Sequence, residues 1–227
     1  MTSRAESSGS VAPLEAGLRH LVRIAGAIAG SPEGQVRAIM SDAKEEVDPA
    51  AVEEIILQSY LFAGFPRALN AARAWRSVSG LPAPAEDEAS HYYPKSRTGQ
   101  RRASVDRLAL WKERGEETCA IVYGASYEKL RQNIRDLHPA LDEWMIVDGY
   151  GKVLARPGVD LRTRELCVVA ACAVAAQQRQ LHSHFHGALN AGASASEVAA
   201  VLDALTDLIS RDDLSRYRQL LQKVAAA

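Results

Sequence analysis

The sequence predicts an all-α protein, a bundle of packed helices. Three observations carry this. Apolar residues recur at three- and four-residue spacing along most of the chain, long strand-like alternation is absent, and alanine dominates while aromatic residues make up only 6%. The chain has 227 residues, of which 47% are hydrophobic and 24% charged. That is the composition of a globular protein with enough apolar surface to offset the entropy of ordering. Its 27 basic and 28 acidic residues give a net charge of −1, so no basic excess exists to hold a nucleic-acid backbone. The longest uninterrupted apolar run, Leu166 to Ala176, covers eleven residues, where a membrane-spanning helix needs about twenty. Three cysteines do not make a disulfide framework. A cytoplasmic location with reduced thiols is expected, with no membrane partner.

Taken in order, residues 1–12 read as a disordered tail rich in Ser, Gly and Ala. A first helical block spans 13–80. In it, Ser31-Pro32-Glu33 and Asp48-Pro49-Ala50 each place a capping residue before a proline suited to the first helical position. Val52, Ile55, Ile56, Ser59, Tyr60 and Ala63 then follow at helical spacing. Gly64 is expected to end that helix and Pro66 to open the next, which Leu69, Ala72 and Trp75 line. Residues 81–103 read as a linker or surface excursion with Pro82, Pro84 and Pro94, an acidic cluster at Glu86, Asp87 and Glu88, and a basic one at Arg101 and Arg102. Within it, His91-Tyr92-Tyr93-Pro94 is the one part suited to covering a pocket. The second block, 104–227, is expected to hold helices near 104–122, 126–136, 139–154, 161–176, 179–191, 195–209 and 212–224. Gly192 serves as a terminator, and Ser194 with Glu197 forms a capping box. Shifting the first block by 146 residues lays Val22, Ala25, Ala27, Ala29 and Val52 on Val168, Ala171, Ala173, Ala175 and Val198. The shared order of apolar, amphipathic and capped helices suggests two divergent repeats.

Three of the six histidines, His182, His184 and His186, fall within five residues. On a helix His184 shares a stripe with Leu181, Phe185, Ala188 and Gly192, while His182 and His186 lie one turn apart on the flank. The flanking pair reads either as ordinary surface histidines or as two metal ligands, and no third ligand is supplied nearby; no metal is expected. His184 reads either as a hydrogen-bonded core histidine or as a general acid–base. Upstream, Arg156-Pro157-Gly158-Val159-Asp160-Leu161-Arg162-Thr163-Arg164-Glu165 puts Asp160 at a helix N-cap and sets Arg164 and Glu165 at the lip of a buried stripe. The arginines suit a solvated salt bridge or capture of a carboxylate. On one helix Cys167 and Cys172 lie about 140° and about 7.5 Å apart, too far for a disulfide.

These two stretches together resemble the carboxymuconolactone decarboxylase family, of the alkyl hydroperoxidase D-like superfamily. The matching residues are Arg156 to Arg164, then Leu181, His184, Ala188, Leu189 and Gly192, with Tyr150-Gly151 upstream. A later family segment finds its counterpart in the first block instead, at Ile56-Leu57-Gln58-Ser59-Tyr60-Leu61-Phe62-Ala63-Gly64-Phe65-Pro66-Arg67-Ala68. The resemblance implies a helical fold of that type with two divergent repeats. It also implies a homo-oligomer with sites near interfaces, a trimer being the natural assembly for a tandem chain. It further implies a cofactor-independent carboxy-lyase, or a related acid–base enzyme, on a small carboxylated, lactone-like or enolisable substrate. In that reading His184 moves the proton and Glu165 orients it or an arginine. Arg164, Arg162 or Arg156 holds a carboxylate. Tyr150, Tyr60 and Phe65 wall the pocket, with His182 and His186 beside the substrate.

Two other readings compete. The superfamily's redox branch carries Glu-x-x-Cys-x-x-Cys-x-x-x-His. Registered on His184, this chain has Val174, Gln177 and Gln180 at the acid and cysteine positions, so a hydroperoxide-reducing role lacks its thiols. The third reading is a non-catalytic binding or assembly protein on the same scaffold, since each half keeps family features the other has lost.

Overall fold

The computed structural model describes residues 13–84 and 107–226, and among these the chain is helical with no strand. The tail 1–12 lies outside the described residues. So does most of the expected linker, including Glu86 to Glu88, His91 to Pro94, Arg101 and Arg102.

The first block forms α1 (Ala16–Gly30), α2 (Glu33–Ala43) and α3 (Pro49–Ser79). Asp48 caps α3 by accepting the Ala50 N–H at 2.9 Å, with Pro49 in the first turn. At the start of α2 the capping position falls on Pro32 rather than Ser31, and no side-chain cap forms. The expected break at Gly64 is a kink inside α3 (φ 76°, ψ 163°), a backbone state that glycine adopts without a Cβ penalty. The second block holds α4 (Arg107–Tyr123), a 3₁₀ turn, α5 (Tyr127–Leu137), α6 (Pro139–Trp144), a π-helical segment (Met145–Leu154), α7 (Leu161–Val174), α8 (Gln178–Asn190), α9 (Ala195–Ala204) and α10 (Arg211–Ala225).

At the centre is α7, buried on every side from Arg164 to Ala173. A helix apolar all round needs neighbours all round, and α1, α3, α8 and α9 pack on it. The helices related by the 146-residue shift, α1 and α7, therefore lie directly against each other. Both blocks feed one core: Val22, Ile24, Ile55 and Trp75 pack in the same cluster as Leu166, Val169, Phe185 and Leu202. Across the bundle, α4 crosses the π-helical segment with backbones touching. Any Cβ at Gly115 or Gly151 would collide with a carbonyl of the opposite element.

Three helix ends differ from expectation, each for a physical reason. The helix expected over 139–154 is α-helical only to Trp144. Beyond it the turns widen, and Ala155 N–H reaches the Tyr150 carbonyl at 2.8 Å; apolar periodicity alone does not separate such wide turns from α turns. The helix expected to reach residue 209 stops at Ala204, where Arg23 from α1 takes up the freed Ala204 carbonyl at 2.6 Å and pairs with Asp207. Helix α7 stops at Val174, and Ala176 takes a left-handed conformation (φ 55°) so that Gln177 N–H can reach the Cys172 carbonyl at 2.9 Å. Replacing exposed Ala176 with glycine is expected to relieve roughly 0.5–1 kcal/mol. Calorimetry should then show a melting temperature higher by about 1–4 °C; a fall would show that the alanine is unstrained there.

Candidate functional site

Helix α7 carries Glu165 on its second turn, started by Asp160, whose carboxylate accepts the Thr163 N–H at 3.0 Å. Helix α8 carries His184 midway along its apolar stripe, where Leu181, Phe185 and Ala188 are also buried. Packing of the two helices brings His184 Nδ1 to 2.8 Å from Glu165 Oε2. Glu165 is fully buried and His184 is 6% exposed. With Nδ1 committed to the carboxylate, Nε2 is the ring nitrogen left for chemistry. The second carboxylate oxygen, Oε1, is buried without a hydrogen-bond partner among the described residues.

This close approach depends on Gly187, one turn beyond His184. A Cβ there would lie 2.6 Å from Glu165 Oε2 and 2.8 Å from Val122 Cγ1. The variant Gly187→Ala is expected to push the carboxylate off the imidazole and cost about 1–3 kcal/mol of stability. Proton NMR checks this directly. The downfield imidazole N–H signal of a carboxylate-bound histidine should be present in the native protein and lost in the variant, with helical circular dichroism retained.

His184 faces a cavity of about 670 Å³. The α3 kink supplies Tyr60 and Phe65, stacked at 5.0 Å between ring centroids, and Phe62, edge-on to the His184 ring at 5.9 Å. The end of α4 supplies Tyr123, and the π-helical segment supplies Tyr150, set edge-on to Tyr123 at 6.2 Å. Burial pushes the Tyr123 phenol up to about 12 and the Tyr150 phenol well above its usual value, so both stay neutral donors at physiological pH. The charged residues lining the cavity are Asp148, Lys152 and Arg179.

Of the residues singled out from sequence, His184, Tyr60, Phe65 and Tyr150 line this cavity, and Glu165 stands behind His184. The arginines do not line it. Arg164 is fully buried and spends its guanidinium within the protein: Nε donates to the Val159 carbonyl at 3.1 Å, while Nη2 donates to Glu54 Oε2 at 2.8 Å and to the Arg156 and Pro157 carbonyls. Arg156 forms a two-pronged pair with the same Glu54. Arg162 pairs with Glu197 at the start of α9. The expected carboxylate clamp is thus an internal strut joining α7 to α3, and none of the three arginines faces the cavity. His182 and His186 stand edge to face at 5.1 Å between ring centroids on the outer side of α8 and do not line the cavity. Among the described residues, no group of three or more His, Cys, Asp or Glu side chains converges.

Sequence reasoning missed Phe62, Tyr123, Lys152, Arg179 and Gly187 as site residues, and Glu54 as the arginines' partner. Only Phe62 carried a local signal, as a neighbour of Tyr60 and Phe65 in the family-like segment. The three thiols are buried, and burial pushes Cys119 and Cys172 up to about 12 and Cys167 also upward. A thiol reagent is expected to react with the native protein only on the timescale of unfolding, and with all three cysteines at once in denaturant. One rapidly labelled cysteine would overturn this.

Residues 143–208 match the model of the carboxymuconolactone decarboxylase family. The matched stretch holds Tyr150, the Arg156–Arg164 segment, Glu165 and His184, and the all-α architecture is consistent with that family. A comparison with curated proteins gives no match.

Proposed function

We propose that this chain, carrying a carboxymuconolactone decarboxylase family segment, is an acid–base enzyme of the lyase type. It acts on a carboxylated, lactone-like or enolisable organic substrate and needs no cofactor. The observation that carries the reading is the buried His184–Glu165 pair opening on an aromatic-walled cavity. Glu165 fixes the Nδ1–H tautomer and stabilises the imidazolium that forms, so Nε2 can take up or return a proton. In a decarboxylation, the electron pair of the breaking carbon–carbon bond passes into the substrate's conjugated carbonyl system. Carbon dioxide leaves, and His184 delivers the proton that quenches the enolate. In an isomerisation, the same nitrogen removes a proton next to a carbonyl and returns it elsewhere. The aromatic walls set apolar surface beside the enolate, and the neutral phenol of Tyr123, hydrogen-bonded by Tyr150, supplies a donor to developing negative charge.

The hydroperoxide-reducing reading fits the buried, raised thiols poorly. Assembly as a homo-oligomer, with a trimer the favoured form, has support from the exposed Phe65, Leu141 and Trp144 beside the cavity mouth. The direct test gives purified protein 4-carboxymuconolactone in the presence of chelator, followed by proton NMR in deuterated water. Conversion with solvent deuterium entering the product, abolished in His184→Ala, is the expected result. Equal rates for native and variant protein would refute the role of His184.

A further inference from the structure

The cavity is large for a monocyclic lactone. At about 670 Å³, and open to solvent at its mouth, it falls within the size range of sites for drug-sized ligands, and a single five-membered ring with its carboxylates leaves much of it to water. Its walls are aromatic on two sides. The Tyr60–Phe65 stack and Phe62 come from α3, and the Tyr123–Tyr150 pair faces from α4 and the π-helical segment. Flat faces and edges of this kind suit the offset and edge-on packing of further rings. Charge on the lining is unequal: two cations, Lys152 and Arg179, against one carboxylate, Asp148. The Lys152 ammonium also lies at 5.5 Å over the ring of Trp111, a residue next to the cavity lining rather than within it. The arginines of the Arg156–Arg164 segment are tied to Glu54 and Glu197, so Lys152 and Arg179 are the permanent cations on the cavity lining.

We propose that the site takes a fused-ring or multi-ring organic monoacid. The aromatic body lies between the α3 and π-helical walls, the reacting carbon lies against His184, and the anionic group lies toward Lys152 and Arg179. The placement of the reacting carbon rests on the acid–base reading above; the size and charge of the ligand rest on the cavity alone.

The test is calorimetric titration of the full-length protein with benzoate, 2-naphthoate and 2-anthracenecarboxylate, and with neutral 2-naphthamide. Each added ring buries further apolar surface, so affinity is expected to rise about tenfold per ring. The amide should bind at least about threefold more weakly than the naphthoate. The double variant Lys152→Ala/Arg179→Ala, changed at two exposed positions, should erase the acid–amide difference and keep the ring dependence. Leu130→Trp, which fills the cavity from α5, should erase the ring dependence. His184→Ala should leave the whole affinity order in place. Benzoate binding within threefold of the anthracene acid, or amide and acid binding alike, overturns the proposal. Turnover of 4-carboxymuconolactone with no binding of the ring series overturns this ligand class and leaves the acid–base reading standing. A graded series in a protein whose activity ignores His184 does the reverse.

Discussion

Glu165→Gln lowers turnover by about 10²–10⁴-fold and leaves substrate affinity nearly unchanged. Two features lead to that split. The carboxylate does not line the cavity and so touches no substrate, yet one of its oxygens sits 2.8 Å from His184 Nδ1. A glutamine of the same shape can donate to Nδ1 instead of accepting from it, which moves the ring proton to the nitrogen that must act on substrate. A wrong tautomer of this kind costs several powers of ten where a histidine is the general base. The stability readout should move the other way. Glu165 is fully buried and its Oε1 has no partner among the described residues, so a neutral amide removes a buried charge while keeping the volume. Melting temperature should hold or rise while kcat collapses. If kcat and melting temperature fell together, Glu165 would be a packing residue and the pair would not be a catalytic one.

Much of the fold is written locally. Asp48-Pro49, Asp160, the Ser194–Glu197 box and Gly192 all fix helix ends where the sequence places them, because a cap needs only the residues within one turn of it. The departures arise where a distant group decides. Arg23 meets the last carbonyl of α9 from 181 residues away, and the widened turns before Leu154 lie where that segment crosses α4 closely at Gly115. The site divides in the same way. That His184 lies on a buried stripe is a periodicity argument, and the stripe is there in α8. That the neighbouring arginines turn inward is not, because their partner Glu54 lies 110 residues from Arg164 on another helix. An arginine beside a helix start reads the same in sequence whether it faces a ligand or a distant carboxylate.

The second large effect follows from that strut. Glu54→Ala removes the carboxylate that, among the described residues, pairs with the buried Arg164 guanidinium and also meets Arg156. Arg164 has a wholly buried side chain, and that of Arg156 is 10% exposed. Backbone carbonyls and Gln58 still meet part of Arg164's hydrogen-bonding capacity, but neither supplies negative charge. Stripping the anion from a buried ion pair costs about 3–5 kcal/mol, mostly as the penalty on the stranded cation. For a chain of this size that is a fall on the order of 10 °C in melting temperature. Glu54→Gln, which keeps an acceptor without the charge, should fall less. The order Ala worse than Gln, with catalysis at a permissive temperature largely intact for Gln, identifies the cluster as the tie between α3 and α7. It would also identify the Arg156–Arg164 segment as the strut that holds Glu165 in register with His184. If melting were unmoved in both variants and turnover were lost, the arginines would act on substrate, and the carboxylate clamp suggested by the segment's sequence would have to be restored.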